Sequence, residues 1–269
     1  MNYPIILTSP HSGNFYPNFY LENLLTSIDK CRSIEDMYVD EFIQDFSTQG
    51  IKVLTSKYSR SVVDLNRKET EIDKSLIHGL NTNCEITNKV KLGIGLIPTQ
   101  TPRGKIFFKE KFSLSNFNFL INEIYLNWHR NLKLALNKKH ETHNKIFLFD
   151  CHSMPSENDG SGLADIVLGN LNGKSCSDEN LIFISDSFKK MGYSVSLNEP
   201  YAGGFITQKY HNLNLGIETL QIEINRSIYM DEEKFNKKDC FDTVKKDFES
   251  VIIKFKNYYT CVEKNFAAE

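Results

Sequence analysis

Six short apolar runs, at positions 5–8, 51–54, 146–149, 166–168, 193–197 and 220–224, constrain this chain more than any other feature. Runs of this length suit buried strands, and the segments between them show the spacing of apolar residues that marks helices. Such spacing predicts helices over 37–47, 117–137 and 178–191, with an amphipathic, basic last helix over 234–263. Within SDENLIFISDSFKKMG, Ser177 is placed to cap, Asp178 and Glu179 fill the first turn, and Gly192 stops the helix. Strands alternating with helices predict the α/β class: a mixed, mostly parallel sheet flanked by helices, in a single domain over 1–269. Residues 68–115 are polar and poorly periodic, and are expected to form a substrate-facing excursion from that sheet.

The composition excludes several classes of function. With 32 basic and 34 acidic residues, the net charge of −2 supplies no field for nucleic acid or an anionic membrane. No apolar run approaches the roughly 20 residues of a membrane span. The start, MNYPIILTSPHSG, lacks the basic flank and long apolar stretch of a signal peptide, so a cytoplasmic protein is expected. Six cysteines without C-x-x-C spacing are expected as thiols rather than as a disulfide framework. The expected partner is a small molecule, and no feature sets an oligomeric state.

Ligands of open α/β sheets bind beyond the carboxyl ends of the strands, so the polar residues after each run carry the functional reading. The first run leads to His11, Ser12 and Gly13, and the run at 146–149 leads to Asp150, Cys151 and His152. A lone histidine in such a place is usually structural. Two of them, each before a Gly, Pro or Ser break, point towards a metal site, because imidazole is the commonest metal ligand. A carboxylate completes a three-ligand hydrolytic site, and CRSIEDMYVDEF offers Glu35, Asp36 and Asp40. These acids could equally decorate a helix start. Asp150 could orient His152 or simply end its strand.

Glu223, between Ile222 and Ile224, either faces solvent or serves as a general base. Arg60, Arg67 and Arg226 lie in polar segments beside these runs, where a guanidinium fork suits a substrate carboxylate. In PYAGGFIT, Gly203 and Gly204 would allow close backbone approach to a ligand, or merely a flexible turn.

Taken in order, SPHSG, YSRSVVDLNR, GLIPTQT, FDCHSMPS, ADIVLGN, EPYAGGFITQKY and LQIEINRSIYMDE resemble the N-formylglutamate amidohydrolase (deformylase) family, from residue 5 to about 233. The resemblance implies a fold similar to zinc carboxypeptidases and the aspartoacylase group. It implies a cofactor, Zn2+ or another divalent metal, held by His11, Asp36 and His152, with Glu223 as catalytic residue. Arg60, Asn66, Arg67 and Arg226 match the substrate clamp, and His129 of NWHRNL matches a histidine near the pocket. The implied reaction is hydrolysis of N-formyl-L-glutamate to formate and L-glutamate, within histidine degradation.

One departure is Pro102 and Arg103 in TQTPRGKIFF, where a more acidic, glycine-containing turn is expected; it leaves the acyl group open. The rival readings are a zinc amidohydrolase for another N-acyl amino acid and a non-catalytic binder of small carboxylates. A cysteine hydrolase using Cys151 beside His152 is weaker, because neighbours on a strand point to opposite faces.

Overall fold

The computed structural model describes residues 3–156 and 162–266, with side chains through 260. The loop after Pro155 that follows His152 falls largely outside the described residues, as does the side chain of Cys261. The chain packs as two compact units: the described parts of Met1–Thr8, Tyr38–Val53 and Lys138–Glu269, and Ser9–Met37 with Leu54–Asn137.

The strands in chain order are β1 (Ile5–Ser9), β2 (Lys52–Thr55), β3 (Gln100–Thr101), β4 (Gly104–Lys105) and β5 (Ile146–Met154). They continue with β6 (Ile166–Gly169), β7 (Val195–Leu197), β8 (Ile217–Asn225), β9 (Met230–Asp231) and β10 (Asn236–Lys237). The main sheet runs β2-β1-β5-β8-β6-β7. β5 pairs parallel with β1 and with β8, β6 pairs antiparallel with β8, and β7 returns parallel to β6. This is the mixed, mostly parallel sheet flanked by helices that the sequence predicts, and it is consistent with a zinc carboxypeptidase-like fold.

The first unit is built on the two faces of β5, all nine residues of which are buried. Phe147 and Phe149 stand on one face and meet Phe255 of the helix Phe241–Phe266, with ring centroids 4.8 and 5.2 Å apart. Phe255 also contacts Phe183 of the helix Asp178–Lys189 at 5.8 Å. Burying one such ring contributes about 1.5–3 kcal/mol, so this aromatic layer is a large part of what holds the helices to the sheet. By alternation Cys151 shares that face, whereas Asp150 and His152 point to the other.

Several boundaries differ from expectation. β5 and β8 continue to Met154 and Asn225, because their parallel ladder runs unbroken through the polar residues. Asp150 and His152 therefore lie within their strand rather than after it, while Glu223 lies inside its strand as expected. The segment 37–47 is a single helical turn pair, Val39–Ile43, followed by the 3-10 helix Gln44–Gln49. The last helix starts at Phe241 because β9 and β10 form a hairpin. Asp231 turns that hairpin by accepting the backbone N–H of Glu233 and of Lys234, each at 3.0 Å. Ser177 caps its helix as expected, accepting the Asn180 N–H at 3.4 Å.

In the second unit, Tyr20 is fully buried between Phe108 and Phe112, at 5.4 and 6.1 Å. The stretch 68–115 carries the β3–β4 hairpin, with Pro102 and Arg103 at its turn. An open cavity of about 530 Å³ is lined from this stretch by residues that include Leu76, Val90, Leu92, Ile106 and Phe107. Among the described residues no helix is long and apolar enough to cross a membrane.

Candidate metal centre

The first unit presents a row of polar side chains on one face of its sheet. Thr8 stands opposite Asp150 in the β1–β5 register, Asp150 opposite Gln221, and His152 opposite Glu223 across β5 and β8. Residues paired in register point to the same side, and every second residue of a strand returns to it. Contacts bear this out. Thr8 donates its hydroxyl to Asp150 Oδ1 at 2.8 Å, and Asp150 Oδ2 lies 2.9 Å from His152 Nε2. Gln221 donates Nε2–H to Glu223 Oε1 at 2.6 Å.

Glu223 is buried, with Ile222 and Ile224 on the opposite side of its strand, so the solvent-facing alternative does not hold. Directly after β8, Arg226 is buried too, donating Nε–H to Ser153 Oγ at 3.0 Å. Gly203 has a φ of 137°, a backbone conformation that residues with a Cβ rarely adopt, so a larger residue there would be strained. Gly204 opens the helix Phe205–Tyr210 as its N-terminal capping residue.

In the second unit, His11 follows β1 and sits at the head of a charged cluster. Gly13 lets this turn lie on the backbone of Lys57 and Tyr58, where a Cβ would meet the Tyr58 carbonyl oxygen at 2.5 Å. The Asp36 N–H donates to the His11 carbonyl at 2.9 Å, which brings the Asp36 carboxylate to 3.4 Å from His11 Nδ1. His11 Nε2 lies 2.7 Å from Asp64 Oδ1. Arg60 donates Nε–H to Asp64 Oδ2 at 2.8 Å, the Asn66 N–H donates to Asp64 Oδ1 at 2.8 Å, and Arg67 Nε is 3.8 Å from Oδ2. Burial by itself would raise the Asp64 carboxyl, but Arg60, Arg67 and His11 outweigh it and hold the group well below the usual carboxylate range.

Arg67 is spent largely on the protein itself, donating Nε–H to the Ile94 carbonyl at 2.8 Å and Nη1–H to the Asn66 carbonyl at 2.9 Å. The Asp64 N–H donates to the Leu96 carbonyl at 2.8 Å, so part of 68–115 backs this cluster directly. His129 is buried against Tyr125 at 4.3 Å, and the Tyr125 hydroxyl donates to the Arg67 carbonyl at 2.7 Å. The remaining cavity-lining residues, all within 73–111, include none of the site residues named from sequence.

Of the three acids in EDMYVD, only Asp36 joins the histidines. His11, Asp36 and His152 are all buried and offer ligand atoms that lie within 4.8 Å of one another. Glu35 is occupied elsewhere: it accepts the Tyr16 hydroxyl and lies 3.6 Å from Arg32. Asp40 lies in the helix Val39–Ile43. Two imidazoles and a carboxylate are the donor set of hydrolytic zinc sites, so the residues fit the metal that the resemblance implies. After the run at 51–54 the sequence places Asp64 among Arg60, Asn66 and Arg67 without giving it a role, although the spacing R-x3-D-x2-R in SRSVVDLNR is a signal for one. An acid with arginines four before and three after it is placed to collect both.

Burial raises the Cys151 thiol far above its ordinary value, and the side chain packs on the aromatic face of β5. Only a thiolate attacks efficiently, so this cysteine is a poor nucleophile. Treating the native protein with iodoacetamide is expected to modify the exposed Cys240 and spare Cys151, which peptide mass mapping checks. Fast alkylation of Cys151 would revive the thiol-hydrolase reading.

A mixed, mostly parallel sheet with His, Asp and His donors and a buried glutamate defines a class, the α/β proteins with a candidate metal site. Comparison with known proteins narrows it. The chain belongs to the N-formylglutamate amidohydrolase family, whose model matches residues 3–230. It is similar to the N-formylglutamate deformylase of Pseudomonas putida, at 29% identity over 240 residues, 85% of this chain and 82% of the relative. The Pseudomonas aeruginosa enzyme of the same name is 28% identical over 240 residues, covering 86% and 83%. The crystal structure of N-formylglutamate amidohydrolase from Ralstonia eutropha JMP134 superposes with a TM-score of 0.88 at 26% identity, over 96% of this chain and 94% of that one.

Proposed function

We propose that this chain hydrolyses N-formyl-L-glutamate to formate and L-glutamate with the help of a divalent metal, zinc in the first instance. The observation that carries the reading is the gathering of His11, Asp36 and His152 within 4.8 Å, with Glu223 in register beside His152. The names of the relatives supply the substrate. The metal would be held by His11, Asp36 and His152. When bound, zinc polarises an amide carbonyl and acidifies water towards neutral pH.

The chain's own groups do the rest. Glu223 takes a proton from the attacking water and delivers it to the glutamate nitrogen as the formyl C–N bond breaks. The new C–O bond and that proton balance the cleavage. Gln221 orients the Glu223 carboxylate by donating Nε2–H to its Oε1 at 2.6 Å. Arg226 and Arg60 supply guanidinium groups for the two substrate carboxylates, while Asn66, Arg67 and His129 shape the surroundings of Asp64 and His11. Gly203 and Gly204 line the approach with backbone alone. On this reading the 269 residues act as a single catalytic domain, in the cytoplasm, within histidine degradation.

The test is formate release from N-formyl-L-glutamate before and after chelation, with zinc added back. Loss on chelation and recovery with zinc is the expected result. A zinc-loaded protein that releases no formate, but cleaves N-acetyl- or N-succinyl-glutamate, would move the acyl group. One that cleaves none of these would make it a binder of small carboxylates.

A further inference from the structure

We infer that Asp64 is the positioning residue of the metal centre: it holds the His11 imidazole with its proton on Nε2 and so turns Nδ1 towards Asp36. The inference deepens the metal reading above and rests on it. Four observations converge on this one carboxylate. Its Oδ1 lies 2.7 Å from His11 Nε2, a strong hydrogen-bond distance. The acid is 1% exposed, as is His11, so water does not compete for either group. Both of its oxygens are otherwise engaged by donors, Asn66 N–H at Oδ1 and Arg60 Nε–H at Oδ2. His11 Nδ1 faces the carboxylate of Asp36, the acid of the candidate donor set, at 3.4 Å.

An acceptor with no proton of its own can take a hydrogen bond from only one tautomer. A carboxylate at Nε2 therefore leaves the lone pair on Nδ1, where a cation can use it. The arrangement also assigns Arg60 and Arg67 a task besides meeting substrate. Their guanidinium groups, at 2.8 and 3.8 Å from Oδ2, hold the Asp64 side chain in place, and its position fixes the ring orientation. The carboxylate thus links the guanidinium groups read from the sequence as a clamp to a ligand of the metal. Partners of this kind typically raise metal affinity by 10- to 100-fold.

The experiment uses full-length, metal-stripped protein and zinc alone as the probe, titrated against a chromophoric chelator. Asp64→Ala is expected to bind zinc about 10- to 100-fold more weakly than the wild type. Removing a buried anion beside two arginines threatens folding, so Asp64→Asn serves as the second variant. Its amide oxygen still accepts from Nε2–H, and its affinity is expected to fall between the other two.

The tautomer is read independently by NMR of 15N-labelled histidine, whose ring-nitrogen shifts distinguish the two neutral forms. A His11 proton on Nε2 in the wild type, and a mixed population in Asp64→Ala, is the expected signature. Wild-type zinc affinity in both variants, or a His11 proton on Nδ1 in the wild type, would overturn the inference. A wild-type protein that holds the Nε2 tautomer and takes up no zinc would instead overturn the metal reading and leave the positioning role in place.

Discussion

Glu223→Gln should bind zinc as the wild type does and release formate about 10²- to 10⁴-fold more slowly, the range that general acid–base catalysis supplies. The side chain is isosteric and Gln221 sits beside it, so packing is preserved and the proton carrier alone is removed. The expected split is a fall in kcat with little change in KM, because Glu223 is assigned no substrate carboxylate to hold. Steady-state kinetics with zinc content measured on the same sample checks this. Substantial turnover in a zinc-replete Glu223→Gln protein would remove Glu223 from the mechanism. The register makes the prediction specific: His152 and Glu223 are partners across β5 and β8, so an acid at 223 is held beside a candidate ligand by backbone hydrogen bonds rather than by a loop.

His152→Ala is expected to lose both properties together. It removes one of three donors, and a site left with His11 and Asp36 holds zinc poorly. Formate release should drop to the level of the chelated wild type, and zinc should be absent from the purified variant. The fold should survive. β5 remains paired on both sides, and the aromatic layer under Phe255 lies on the other face of the strand. Far-UV circular dichroism and a thermal melt of the metal-stripped proteins would verify that. Full activity with bound zinc would exclude His152 as a ligand. Comparing the two variants separates the roles: one keeps the metal without turnover, the other loses the metal and turnover with it.

Much of this architecture was legible without coordinates. Six apolar runs with helical segments between them have few solutions other than a covered, mostly parallel sheet, because both faces of such strands must be buried. The same runs located the polar residues that matter, since in these sheets chemistry gathers towards the carboxyl ends of strands. Spacing could not rank Glu35, Asp36 and Asp40. All three are acids within six positions, and which one meets His11 depends on a backbone hydrogen bond between distant segments, Asp36 N–H to the His11 carbonyl. Nor could it show that Asp150 and His152 lie inside their strand, since polar residues normally end apolar runs and only cross-strand pairing carries the ladder past them.

The sequence by itself thus determined the sheet, the helices that cover it and the residue types available for chemistry. Those follow from hydrophobic periodicity, a local property that each segment carries with it. Tertiary structure alone decided which distant acid serves His11 and which does not: Asp64 lies at His11, and Glu35 is turned away towards Tyr16. The physical reason is that a buried charge must find its partners in space. Those partners lie 53 residues apart for His11 and Asp64, a separation at which no local pattern reports contact.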